Sequence, residues 1–432
     1  MTILYRQTII KTKAMVKNSL FFLGFFFLVF SAKSQDVVYA KKMLDTLASS
    51  YFEGRGAVNN GEKKAADFIA NEYKKHGLKP FKENFLQHFN YNINTFSRKL
   101  EVVIDDEKLI PGKDYIVGAA SSKLQGEFDL VHYNSTNLPT KKELQKLTKR
   151  GFFLNKIIVI DNEGIAKDNE VLTALKINVF NAIGIILLEN KLTQSIATSY
   201  EKYAILHVMR EVIDRNARKI AVNINQQFIS NFKSQNVIGY IEGTDFPDSI
   251  IAVSAHYDHL GRMGDEVYFP GANDNAAGVA MLLDFAKYFS ENPPKNTMVF
   301  MAFGAEESGI IGSRYFVENP LFKLQRLNFL INLDVIGTGT DGIMVVNGAD
   351  LPQAFALLES CNKKNYVPEI KKRKNAPNSD HFWFAQKGIP AFFIYGLGGG
   401  KAYHDIDDTS DKLQLEKYND VFSLIRDFII QL

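Results

Sequence analysis

The chain has one cysteine, Cys361, in 432 residues. A single thiol closes no disulfide within the chain and excludes a metal cage built from thiolates. Stability must then come from the apolar core alone, and any bound metal must be held by imidazole and carboxylate. Tryptophan is as scarce: Trp383 stands alone and reads as core or pocket wall. An excess of charge is also missing, since the formal net charge is only +3. Residues 1–34 carry five basic residues (Arg6, Lys11, Lys13, Lys17 and Lys33) and no acid, so the rest of the chain stands at −2. A near-neutral surface offers no basic face, which excludes nucleic acid as a partner. Repeats and low-complexity tracts are absent as well. What remains is ordinary globular composition, 46% hydrophobic and 23% charged, at a length that suggests two or three domains.

The apolar block Leu20–Phe30 follows those basic residues and is too short for a comfortable membrane span. Ala32-Lys33-Ser34 after it is a small-x-small cleavage site. Residues 1–34 therefore read as a signal peptide, with Met15 as an alternative start and an uncleaved anchor as the competing reading. No cysteine follows the block, which argues against a lipid-anchored start. The expectation is an exported protein, periplasmic or secreted, with no stable membrane span once the signal is removed.

Residues 36–80 read as helical. Ala65, Phe68, Ile69 and Tyr73 share one face, and Gly77 with Pro80 ends the pattern. Shorter alternating runs such as KLEVVI follow up to residue 118. The block 119–235 has its own strands, KIIVID (156–161), AIGIILLEN (182–190) and AILHVM (204–209), with a helical stretch near 166–181. It carries no cluster of histidine and carboxylate and reads as a small inserted domain. From Asn236 strands and helices alternate to the end, which predicts a mixed, largely parallel sheet sandwiched by helices in an α/β fold. The expected division is 1–34, 35–118, 119–235 and 236–432. The basic run KKRK (371–374) reads as a solvated loop.

Metal-type side chains sit at the ends of these runs. His256 lies in SAHYDHLG, Asp274 in GANDNAAG, Glu306 and Glu307 in FGAEESG, Asp334 in INLDVIG, and His404 in YHDIDDTSD. Open α/β sheets form their sites beyond the carboxyl ends of the strands. Any one of these residues alone is more simply structural, as a helix cap or a solvated loop residue. Five placements at one edge are harder to explain that way. Imidazole with hard carboxylate suits zinc. Asp274 lies in a Gly-flanked turn and is the natural bridge between two ions. Asp258, two residues after His256, is placed to accept the other imidazole N–H. Of the paired glutamates, one can bind metal while the other takes a proton.

The order H-x-D, G-A-N-D-N, G-A-E-E, N-x-D and Y-H…D-T, together with SDHFWFAQKGIPA and the EGRG at 53–56, resembles the di-zinc aminopeptidases of the co-catalytic zinc exopeptidase family. The inserted block resembles a protease-associated domain. The resemblance implies two zinc ions per chain, one on His256, Asp274 and Asp334 and the other on Asp274, Glu307 and His404. It makes Glu306 the general base and acid, Asp258 the partner of His256, and the Asp274–Asn275 peptide bond cis. The implied substrate is a peptide with a free N-terminus.

Tyr403 is placed to donate to a reacting oxyanion, with a packed tyrosine as the alternative. His381 is read as either substrate-facing or structural, and Arg55 as tying down a loop or touching substrate. His259 is read as a loop contact. His76, His88, His132 and His207 read as structural. Val335 and Asp405 depart from the family's common residues, and Asp405 is expected to alter substrate contacts. Competing readings are a glutaminyl-peptide cyclase, a carboxypeptidase, whose cationic residues for a substrate carboxylate have no place in the sequence pattern, and a non-catalytic receptor or scaffold.

Overall fold

A computed structural model describes residues 37–432. The expected signal peptide lies outside the described residues. Two sheets dominate, one of nine strands and one of eight.

The nine-stranded sheet has a parallel centre. Strands Asn296–Phe303, Phe246–His256, Leu327–Leu333 and Ala391–Leu397 lie side by side in that order, all parallel. The flanks mix directions. Gln227–Ile241 runs antiparallel to Asn296–Phe303, and Gly342–Val346 antiparallel to Ala391–Leu397. The sheet is thus mixed, with its parallel part at the centre. The alternation of side chains along a strand explains the helices on both faces. Ile251, Val253 and Ala255 point to one face, where they meet helices Val37–Leu47, Gly61–Lys75, Ala277–Glu291, Pro352–Cys361 and Tyr418–Gln431. Ile250 and Ala252 point to the other, against Phe316 and Val317 of Ile311–Glu318 and Phe384 of His381–Gln386. Helix Ala277–Glu291 is buried at every position from Ala277 to Ala286, apolar throughout that span except at Asp284.

The eight-stranded sheet is built from strands within 101–224. Its centre is also parallel: Leu124–Tyr133, Lys156–Ile160, Gly184–Glu189 and Ala204–Met209. Helices Lys141–Lys149 and Glu170–Lys176 cover one face through Leu144, Leu172 and Leu175. The other face packs on Leu260, Met263 and Phe269.

Several details differ from the sequence reading. Strands Glu101–Ile104 and Tyr115–Val117 belong to the second sheet although they precede residue 119. The stretch 227–235 belongs to the first, because strand Gln227–Ile241 runs straight through Asn236. The helical reading of 36–80 breaks at EGRG, where Glu53, Gly54 and Arg55 all take positive φ. KKRK is not a loop: Lys371, Lys372 and Arg373 lie in the edge strand Ile370–Arg373.

Candidate metal centre

His256 is the last residue of its strand, in register with Phe303 on the parallel neighbour. That register brings Glu306 and Glu307, just beyond Phe303, to the same edge. Asp334 follows Leu327–Leu333 directly, and His404 lies in the loop after Ala391–Leu397. Asp274 sits in a kinked turn ahead of helix Ala277–Glu291, and its bond to Asn275 is cis. Gly271 in that turn has φ 56°, and a Cβ there would stand 2.2 Å from the Asp274 carbonyl oxygen and 2.3 Å from the His259 ring. Only glycine fits. Ala305, Val335 and His404 also take positive φ, at 56°, 52° and 53°. Left-handed backbone at non-glycine residues is costly and concentrates at functional sites.

These side chains converge. His256 Nε2 is 3.3 Å from Asp274 Oδ1 and 3.2 Å from Asp334 Oδ1. His404 Nε2 is 3.0 Å from Asp274 Oδ2 and 3.2 Å from Glu307 Oε2. The two oxygens of Asp274 thus face two different imidazoles. Ligands about 2.0–2.1 Å from one tetrahedral ion stand roughly 3.4 Å from each other, close to the spacings found. The charge balance points the same way. Burial opposes charge on His404, yet Asp274 and Glu307 push it up to about 11. Burial likewise opposes charge on His256, and Asp334, Glu306 and Asp274 outweigh it. A carboxylate-rich pocket that draws protons onto its imidazoles is chemically suited to a cation. Glu306 makes no such pairing. Burial first, then Asp334, Asp380 and Glu307, hold it well above the usual carboxylate range.

The supports around these groups differ in part from expectation. The carboxylate of Asp258 stands 3.9 Å from His256 Nδ1, while the Asp258 backbone carbonyl lies at 3.2 Å and accepts from it. The carboxylate instead accepts the backbone N–H groups of Glu306 and Glu307, at 3.0 and 3.2 Å. Asp258 therefore fixes the glutamate pair as well as the imidazole. Ser379 donates to Asp334 Oδ2 at 2.8 Å and is itself held by Asn332. Asp408 is buried and accepts the N–H groups of Asn273 and Asp274. Arg55 is fully buried and does not touch the cleft. It donates to the carbonyls of Leu47, Tyr257, Pro270, Gly271 and Asp274, and so pins the turn that carries Asp274. His404 Nδ1 lies 3.0 Å from the backbone carbonyl of Gln194, which belongs to a loop of the second sheet, and Gln194 N–H donates to the His404 carbonyl at 2.8 Å. Lys191 in the same loop pairs with Asp405 at 2.8 Å. Asp405 thus faces the second sheet's loop and is not among the residues lining the cleft.

His259 is more than a loop contact. It is buried, and its Nδ1 stands 2.7 Å from Glu307 Oε1. Tyr403 is 47% exposed, lines the cleft and stacks on His404 with ring centres 4.1 Å apart. His381 does not reach the cleft. It is fully buried beside Phe393, with Nε2 on Asn375. Trp383 is part of the wall packing, its Nε1 donating to the Ile310 carbonyl. The cleft itself, about 270 Å³, is lined by His256, Asp274, Glu306, Glu307, Asp334 and His404 on one side. Val335, Arg373, Asn378, Phe393, Tyr395 and Tyr403 complete it. Asp408 and Asp380 were not singled out from the sequence, and His259 and Arg373 were read as loop residues with no part in the cleft. DIDDTSD and SDH were the signals that pointed toward the first two.

Residues 236–429 match the family model described as Peptidase family M28. Aminopeptidase YwaD of Bacillus subtilis (strain 168) is 30% identical over 207 residues, which cover 45% of this chain and 44% of that protein. The chain thus spans under half the length of this curated relative. Among solved structures, the zinc aminopeptidase BSAP from Bacillus subtilis shares the fold with a TM-score of 0.71 at 20% identity, over 92% of this chain and 95% of that one. An aminopeptidase from Aneurinibacillus sp. strain AM-1 does so with a TM-score of 0.63 at 20% identity, over 93% and 94%. The likeness to peptidase family M28 thus runs through residues 236–429.

Proposed function

We propose that the chain is an exported di-zinc aminopeptidase that removes single residues from the free N-terminus of peptides. The observation that carries this reading is Asp274, whose two carboxylate oxygens address two imidazoles, each backed by a second carboxylate. His256, Asp274 and Asp334 would hold one zinc, and Asp274, Glu307 and His404 the other. Bound there, zinc supplies Lewis acidity, which acidifies water and polarises a scissile carbonyl. Glu306 takes the proton of the attacking water and returns it to the leaving nitrogen. The hydroxyl of Tyr403 donates to the developing oxyanion. The cleft carboxylates would accept hydrogen bonds from the substrate's free α-amine, which sets the cut one residue from the N-terminus. The second sheet is read as an inserted protease-associated-like domain, and residues 1–34 as the signal that exports the chain. Among the described residues no helix is long and apolar enough to cross a membrane.

The test is zinc content together with turnover of an aminoacyl anilide panel, with and without chelator. Near two zinc ions per chain and chelator-sensitive cleavage are expected. One ion per chain points to a cyclase, and none to a scaffold. Acetylating the substrate's amine should abolish turnover, and persistent cleavage would overturn the exopeptidase reading.

A further inference from the structure

The cleft that holds four carboxylates also holds one guanidinium. Arg373 ends the edge strand Ile370–Arg373 and lines the same cleft as the metal-type ligands. Its guanidinium lies 5.7 Å over the ring of Tyr395, itself a cleft residue. With the Asn378 amide oriented so that its N–H donates to the Ala376 carbonyl, its oxygen accepts from Arg373 Nη2 at 2.6 Å. Stacking on an aromatic face and one hydrogen bond restrain the fork, and neither neutralises it.

No carboxylate pairs with Arg373 among the described residues. Arg210, Arg262, Arg314, Arg326 and Arg426 each have an acidic partner, and Arg98, Arg150, Arg215 and Arg218, which like Arg373 have none, do not line the cleft. Its neighbours in the basic run are also engaged: Lys371 with Glu369, and Lys372 over the ring of Phe355. Arg373 is exposed to solvent, and the aromatic face and the asparagine hold its fork in place there. A guanidinium so held, in a cleft whose remaining walls are Val335, Phe393, Tyr395 and Tyr403, is arranged to meet a planar anion.

We propose that Arg373, oriented by Tyr395 and Asn378, is a carboxylate-binding subsite that gives the cleft a preference for substrates bearing an acidic group next to the scissile bond. The proposal rests on the aminopeptidase reading above. With the substrate's amine drawn to the carboxylate side, a carboxylate can reach Arg373 from two sources: the side chain of an N-terminal Glu or Asp, or the free C-terminus of a dipeptide.

The test compares wild type with Arg373→Gln and Arg373→Lys, all loaded with zinc. One arm takes the ratio of kcat/KM for Glu-anilide over Gln-anilide. The other takes the ratio for Leu-Gly over Leu-Gly-amide. A calorimetric arm measures binding of free L-Glu against L-Gln, and of Leu-Gly against its amide, so the subsite is read even in a protein that turns nothing over. A charge-assisted pair predicts that at least one ratio falls about tenfold or more in Arg373→Gln, through KM, and partly recovers in Arg373→Lys. Loss of the Glu/Gln ratio assigns the side-chain source, and loss of the acid/amide ratio the C-terminal source. Ratios unchanged in both kinetic and calorimetric arms overturn the subsite while leaving the aminopeptidase reading intact. Absent turnover by zinc-loaded wild type, with the calorimetric preference present and lost on substitution, overturns the aminopeptidase reading while keeping the subsite.

Discussion

Both sheets place four parallel strands side by side, and both present polar residues at the carboxyl ends of those strands. Only one edge gathers histidines and carboxylates. In the eight-stranded sheet, Asp161 follows Lys156–Ile160, and Arg210 follows Ala204–Met209 and pairs with it at 3.0 Å. Arg210 also donates to Asn190, Asn162 and the Leu188 carbonyl. That edge gives its buried acid a cation of its own. In the nine-stranded sheet, Asp274, Glu306, Glu307 and Asp334 meet with no lysine or arginine among them, and one guanidinium, Arg373, lines the same cleft. A parallel edge alone therefore does not make a site. Acid left without a protein cation does. Glu62 shows a third solution. Fully buried near Ser234 and Tyr91, it is pushed up to about 8, first by burial and then by Asp258. It keeps its proton.

The contrast can be broken at its strongest point. Asp274→Ala removes the carboxylate common to both imidazole pairs. We expect zinc content to fall well below two per chain and turnover to drop by about a thousandfold or more, as several kcal/mol of Lewis-acid stabilisation is lost. Retained zinc and retained rate would place the metal elsewhere. Glu306→Gln should keep its zinc, measured by metal analysis, while kcat falls by about 10²–10⁴. A near-normal rate would remove Glu306 as the base. For Glu62 the sign follows from its raised value. The folded state holds a proton that the unfolded chain has released above about pH 4.3. Stability should then fall by about 1.4 kcal/mol per pH unit as pH rises from 6 towards 8, flattening above that. Glu62→Gln should have a slope shallower by that one-proton share in urea titrations, and an equal slope in both proteins would rule out Glu62 as a source. The smallest effect belongs to the edge of the eight-stranded sheet. Arg210→Ala leaves Asp161 largely buried without its partner and should cost about 1–2 kcal/mol in denaturant stability. It should leave zinc content unchanged, and loss of zinc there would mean that the two edges are not independent.

How much of this was legible follows from distance along the chain. The strand ends His256 and Asp334, the GANDNAAG turn and the FGAEESG pair show in local pattern, because an apolar run closed by a polar residue is a local signal. The parallel centre of the sheet was readable for the same reason. For Arg55 the pattern left tying down a loop and touching substrate open, and could not choose, since its five carbonyl acceptors lie on three separated stretches. Asp258 was half legible: its partnership with His256 is local, whereas its grip on Glu306 and Glu307 spans 48 and 49 residues. The run KKRK is solvated as expected, but its place in a strand and the seat of Arg373 in the cleft were not legible, because the partner strand Gly342–Val346 and Tyr395 lie more than twenty residues away. The edges of the second sheet were missed because strand Glu101–Ile104 finds its partner at Lys219–Ile224, far beyond any sequence window.

The mutual backbone bonds between Gln194 and His404 bear on how the molecule can be cut. One imidazole of the proposed centre takes its tautomer from a peptide carbonyl that the other sheet supplies. A fragment trimmed to 236–432 would keep every coordinating side chain and still lose the clasp that aims one of them. The smaller sheet is thus part of the instrument, and excising it should disarm the chain even where the remainder folds.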